Sequence, residues 1–252
     1  MYTREQLDAL SGTKAYQNTP IGGAYYDTIT LGKDGKFYLA HYSQPKDKRE
    51  DPKCLYGAFT MTILKIRRKL IAWSDSTKTF ESVEYDAGAT DVLTTAGTMT
   101  EKDAKNDYEA KVSLIVYGIH NGTIVKMPVT GGSLYNPDDT AHMRLYSYLQ
   151  SFDESESVYD FETIVGAKAN NYTDGAGVAR SNYQMVFKRG EKAADMEVVG
   201  TALTKLMAEL PENDARDAKF LGSSKPKSEA DKQFDAIGAA PAGEIDPNDV
   251  PF

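Results

Sequence analysis

Two short segments, Ala24 to Leu31 and Lys36 to Ser43, alternate apolar and polar residues on either side of Lys33-Asp34-Gly35. Period-two alternation predicts half-buried strands, and Asp-Gly supplies the positive φ that a tight hairpin turn requires. Within this hairpin Ile29 and Leu31 fall on one face, while Tyr26, Tyr38 and Tyr42 fall among the alternating aromatic positions. One face is aliphatic and the other rich in tyrosine. Tyr108 to Tyr117 repeats the pattern, with Ala110, Val112, Leu114 and Val116 expected inward and Lys111, Ser113 and Tyr117 outward. Asn121-Gly122 then turns the chain into Thr123 to Val129, a second predicted hairpin.

Between the hairpins, Cys54 to Trp73 changes parity. Phe59, Met61 and Ile63 share one parity, but the apolar set then becomes Leu64, Ile66, Leu70 and Ala72, leaving Lys65, Arg67, Lys69 and Trp73 opposite. A switch of face within one run predicts a bulge in a long strand, a device small β-barrels use to close. Ile63, Ile66, Leu70 and Trp73 also fit a helical period; β-branched and aromatic residues before the cations favour the strand. Elsewhere, Thr3-x-x-Gln6 followed by Leu7 and Leu10 predicts a short first helix. Residues 86–107 read as a long Gly/Thr/Asp-rich connection. Asp139 or Thr140 can cap a helix reaching Phe152, and Tyr159 to Val165 and Asn182 to Phe187 read as strands around a loop at 166–181. Met196, Val199, Leu203, Leu206 and Leu210 form a helical stripe that Pro211 is expected to end. The sum predicts a mainly β protein with a few helices, of α+β class and without βαβ alternation.

Charge divides the chain. Its 252 residues carry a net charge of −8, half of it beyond position 210, where five basic residues face nine acidic ones. Five of the ten prolines also lie there, and no basic residue follows Gln233. Such a segment buries too little apolar surface to offset its ordering entropy, so the expected organisation is a folded body over 1–210 and a disordered acidic tail over 211–252. The opposite sign gathers at Lys46 to Lys69, eight basic residues against three acidic. A net acidic protein can still present such a basic stripe to a polyanion.

Other chemistry finds no footing. The single Cys54 allows no intrachain disulfide, and His41, His120 and His142 make no pair at metal-ligand spacing. There is no Walker-type or dinucleotide-binding glycine motif. Ser11-x-x-Lys14 lacks the partner motifs of a Ser/Lys enzyme, and the calcium-like loop from Asn170 places Ser181 where a bidentate Glu belongs. The expectation is binding without catalysis and without cofactors. Lacking a long apolar run or a secretory core near Met1, the chain is expected to be cytoplasmic and to make no membrane contact.

The last residues, Glu244-Ile245-Asp246-Pro247-Asn248-Asp249-Val250-Pro251-Phe252, combine carboxylates with an aliphatic residue, a proline and a phenylalanine. An apolar hook stiffened by proline and steered by carboxylates suits docking in a partner's basic-rimmed pocket. This ending resembles the acidic tip of bacterial and bacteriophage single-stranded DNA-binding proteins (SSB), which typically finish Asp-Asp-Ile-Pro-Phe. Asp249, Val250, Pro251 and Phe252 match that pattern, and Asn248 replaces its first aspartate. The resemblance implies a body built as an oligonucleotide-binding (OB) fold-like β-barrel with elaborations. It also implies a tip, Asp246 and Asp249 to Phe252, that recruits replication, recombination or repair proteins.

On that reading Lys65, Arg67 and Lys69, with Lys53, Arg68 and Lys111, are expected to contact phosphates. Trp73, Tyr26, Tyr38, Tyr42 and Tyr117 are expected to stack bases. Two other classes stay open: a β-rich virion or scaffold protein with an acidic tail, and a nuclease or nucleotide-metabolising enzyme whose carboxylates are dispersed in sequence.

Overall fold

The computed structural model describes residues 26–217, apart from 45–47, 75–77, 87, 90, 95–96, 135–142 and 174. The predicted first helix, and the tip residues Asp246, Asp249, Val250, Pro251 and Phe252, lie outside the described residues. In chain order the elements are β1 (Asp27–Leu31), β2 (Phe37–Ala40), β3 (Lys53–Tyr56), β4 (Ala58–Ser74), β5 (Thr79–Asp86), β6 (Asp91–Thr94), β7 (Gly97–Thr100) and α1 (Glu101–Tyr108). There follow β8 (Lys111–His120), β9 (Thr123–Val129), α2 (Leu145–Gln150), β10 (Phe161–Thr173), β11 (Ala179–Ala193) and α3 (Met196–Asp217). Nine strands form one mixed sheet in the order β11-β10-β4-β8-β9-β1-β2-β3, with β5 on β4. The mainly β, α+β expectation holds.

Both hairpin turns form as their sequences dictate. Gly35 has φ +76°, and Asn121 and Gly122 have φ 47° and 76°, the left-handed pair that an Asn-Gly turn provides. The end of the first hairpin is clamped by Asp27. Its carboxylate accepts from the Ser43 amide at 2.9 Å and hydroxyl at 2.5 Å and lies 3.0 Å from His41 Nδ1. Burial pushes the Asp27 carboxyl up, but the Ser43 and His41 contacts outweigh it and hold the group below its ordinary value. Because Ser43 gives its hydroxyl to Asp27 and not to His41, the trio acts as a strut between strands.

The long strand β4 organises everything else. Its first residues pair with β10, Thr62 to Ile71 pair with β8 on the opposite edge, and Arg67 to Ser74 pair with β5. The predicted bulge is there: register shifts between Ile63 and Lys65. Ile63 enters the principal core with Ile29, Phe37, Val116, Met127, Val165 and Phe187 from six other strands, a set that only a strongly curved sheet can bring together. Leu64, one residue on, packs under α3 with Ile115, Tyr117, Val199, Leu203 and Leu206. A third cluster, Leu70, Ala72, Val83, Val92 and Ala104, lies under α1 and the β6-β7 ribbon.

Three expectations need correction. Residues 86–107 are not a bare connection, since β6, β7 and most of α1 lie there; Thr100 caps α1 by accepting from the Asp103 amide at 3.1 Å. The predicted 166–181 loop is largely strand, because β10 and β11 extend into a long two-stranded finger whose outer residues are exposed on both faces. Finally, α3 does not stop at Pro211 but runs through it to Asp217. The proline forfeits one helical hydrogen bond, and an anchor beyond it, described below, holds the last turn.

Gly118 shows how tightly β4 and β8 approach beside the bulge: a Cβ there would lie 2.6 Å from the Thr62 carbonyl oxygen and 2.3 Å from the Met61 methyl. Gly118→Ala is therefore expected to destabilise the fold by about 1–3 kcal/mol through overpacking, read as a lowered urea midpoint with unchanged slope.

Candidate nucleic-acid interface

Beyond the bulge, alternate residues of β4 share one face, so Lys65, Arg67, Lys69, Ile71 and Trp73 form a single row. The sequence reading placed this row in solvent. The structure instead lays α3 over its first half.

Arg67 is 1% exposed, and its guanidinium donates two hydrogen bonds to Asp214 of α3, at 2.6 and 2.8 Å, and one to Asp86 of β5 at 3.2 Å. Lys65 is buried 3.2 Å from Asp86. Tyr117, opposite Lys65 on β8, donates to Glu84 at 2.5 Å, and Lys126 lies 3.6 Å from the same carboxylate. Burial, followed by the Glu84 charge, pushes the Tyr117 phenol well above its ordinary value, so it stays a donor. Burial also raises the Asp214 carboxyl against the opposing pull of Arg67. Tyr26 seals the rim, packing edge-on to Tyr117 and donating to Glu209 of α3 at 2.5 Å.

These positions correct four site expectations. Lys65 and Arg67 are neutralised in the interior and cannot reach a phosphate; Tyr26 and Tyr117 are buried and cannot stack a base. The alternation of β4 and β8 is right in register, but α3 covers the face that was read as wet. The remaining predicted residues divide. Arg68 points to the other face, half-buried against Glu101 at 3.1 Å. Tyr38 donates to Asp34 at 2.7 Å, Tyr42 is exposed beneath the Arg49 guanidinium, and Lys53 is exposed on edge strand β3. Arg68 thus lies on the opposite face of β4 from the row, and the other three lie on or beside β2 and β3.

Where α3 ends, the row emerges. Trp73 is 49% exposed and meets Phe80, 71% exposed, directly across the β4-β5 ladder, with ring centroids 5.1 Å apart at 74°. Opposite Ile71 on the other side is Lys111, exposed at the start of β8, and Lys69 sits two residues before Ile71. Directly opposed residues project to one side of a sheet, so Lys69, Ile71, Trp73, Phe80 and Lys111 form one surface. Three of the predicted residues thus meet, joined by Phe80, which the sequence reading missed. The alternation of Thr79 to Asp86 was the available signal for β5. Chemically, this ledge offers two π-faces and edges to a flat partner, with ammonium groups beside them for an anion.

Among the described residues no group of three or more His, Cys, Asp or Glu is placed to hold a metal ion, and no helix is long and apolar enough to cross a membrane. Comparison of the chain with protein-family models, with curated proteins and with solved structures gives no match.

The buried network gives a sharp stability test. Arg67→Ala leaves the half-buried Asp214 without its guanidinium partner and Asp86 with Lys65 alone, and is expected to cost about 3–5 kcal/mol, whereas Lys111→Ala, on the exposed ledge, is expected to stay within about 0.5 kcal/mol of the parent. Chemical denaturation of the two variants measures both.

Proposed function

We propose that this chain is a sequence-independent single-stranded DNA-binding protein, its curved sheet acting as an elaborated OB-like barrel and the Trp73-Phe80 ledge as its stacking platform. The observation that carries the reading is an indole and a phenyl ring held edge to face in solvent, beside Lys69 and Lys111, on a protein that buries its other cations of the same row. Every base has a π-face, so stacking at such a ledge tolerates any sequence, while the two lysines make affinity fall with salt. The C-terminal resemblance to the SSB tip supports the same reading. It adds a second role, recruitment of replication, recombination or repair proteins through Asp249 to Phe252.

The chain contains one tryptophan, Trp73, so its intrinsic tryptophan fluorescence reports on the ledge alone. Added oligothymidylate is expected to quench that emission, and Trp73→Ala to weaken binding by about tenfold or more, as the loss of one stacked base implies. Unquenched emission together with unchanged affinity in the variant refutes the platform. Removing Val250 to Phe252 is expected to leave DNA affinity intact while abolishing capture of purified SSB-tip-binding host proteins. Capture that survives the deletion refutes the tip's role.

A further inference from the structure

The ladder between β1 and β9 is parallel and only two residue pairs long, Asp27 with Val125 and Thr28 with Lys126. It stops short of Pro128, which has no N–H to offer a neighbouring strand. Past that point β1 and β9 separate, and a cleft of about 710 Å³ opens between the β1-β2 turn, the Gly131-Gly132 turn and the inner edge of β11. Leu31, Pro128 and Met185 give it an apolar floor, while Asn182 and Gln184 offer amides and Lys33 an ammonium. Tyr183 stands at the rim, its ring packed so closely on Gly35 that a Cβ there would lie 2.5 Å from it. Among the described residues no carboxylate lines this cleft, although the chain has 37 acidic residues against 29 basic.

The finger that rises from the cleft continues the same chemistry. Cross-strand pairs place Lys168 opposite Gln184, Asn170 opposite Asn182 and Tyr172 opposite Arg180, so one face of the hairpin is a ladder of cations, amides and a tyrosine. Lys168, Tyr172, Arg180 and Asn182 are exposed or half-exposed, and from 163 to 190 the sequence holds four basic residues and one acidic. An amide can both donate to and accept from a base edge, a tyrosine ring can stack, and two cations can follow a backbone. A cleft of this volume is in the range that takes a small molecule or one or two nucleotides.

We infer that the β10-β11 finger and the cleft at its root form a second contact for single-stranded DNA, separate from the ledge, in which Lys168 and Arg180 hold phosphates and Tyr172, Asn182 and Gln184, on the same face of the hairpin, engage bases. This rests on the function proposed above and adds to it a residue-level track that does not include Trp73.

The test uses the full chain and fluorescein-labelled oligothymidylate followed by anisotropy over a range of salt, with Trp73 emission recorded in parallel. The double variant Lys168→Glu/Arg180→Glu changes only surface positions of the finger. It is expected to lose about tenfold or more in affinity and to flatten the log-affinity against log-salt slope by about 1.4, two phosphate contacts at ~0.7 each, while saturating DNA still quenches Trp73. On the parent protein, photocrosslinking with 5-iodouracil-substituted oligothymidylate is expected to mark Tyr172. A double variant with parental affinity and slope, or crosslinks absent from β10 and β11, overturns the finger contact while leaving the ledge standing. Failure of the parent to bind the oligonucleotide at all overturns both.

Discussion

The structure turns on one constraint: β4 carries two cations, Lys65 and Arg67, on a face that the fold buries. A buried cation without a partner costs several kcal/mol, so the fold must bring carboxylates to them. Asp86 arrives from β5 and Asp214 from the last turns of α3, with Glu84 tied in through Tyr117 and Lys126. The network therefore sets the register of β5 on β4 and fixes how far α3 extends across the sheet. It also accounts for a helix that runs through Pro211, since the two hydrogen bonds from Arg67 to Asp214 hold the turn the proline weakens.

The same constraint decides where a ligand can bind. The row of alternate β4 residues is continuous from Lys65 to Trp73, yet α3 closes its first half and leaves Lys69, Ile71 and Trp73 beyond the helix end. Lys65 and Arg67 in the covered half are buried against carboxylates; in the uncovered half Lys69 is half-buried, and Trp73 beside it is exposed. On a chain of net negative charge, surfaces poor in carboxylates matter more than the total. Among the described residues the outer β10-β11 finger is such a surface, while the ledge sets the exposed Lys111 and the Trp73-Phe80 pair beside one carboxylate, Glu84 opposite Lys69; both are built on the ends of long strands whose middles form the core.

Much of the local structure was legible because its causes are local. Asp34-Gly35 and Asn121-Gly122 set their turns through backbone conformation alone, and the parity switch at Ile63-Leu64 marked a bulge because adjacent apolar residues in a strand must face opposite sides unless one is extra. What escaped was which face would be covered. Alternation separates two faces without saying that both are buried, so Ser113 and Tyr117 read as exposed. A clue lay in the helix: Leu206, Leu210 and Asp214 recur at intervals of four, which puts a carboxylate on the apolar stripe and calls for a buried cation opposite. Likewise the small and polar residues of 166–181 suggested a loop because propensity, not pairing, was in view; twelve cross-strand partners from Phe161 to Thr173 make it a finger.

By itself, then, the amino-acid sequence determined the β-rich class, the hairpin turns, the bulge, the apolar stripe of α3 and the division of charge along the chain, all properties of neighbours within a few residues. Only the tertiary structure decided that Lys65 and Arg67 belong to the interior and Trp73 and Phe80 to the surface. That choice depends on the reach of a helix encoded some 130 residues away from the strand it covers, and the burial of a charge is settled by the partner that comes to meet it, not by the residues on either side.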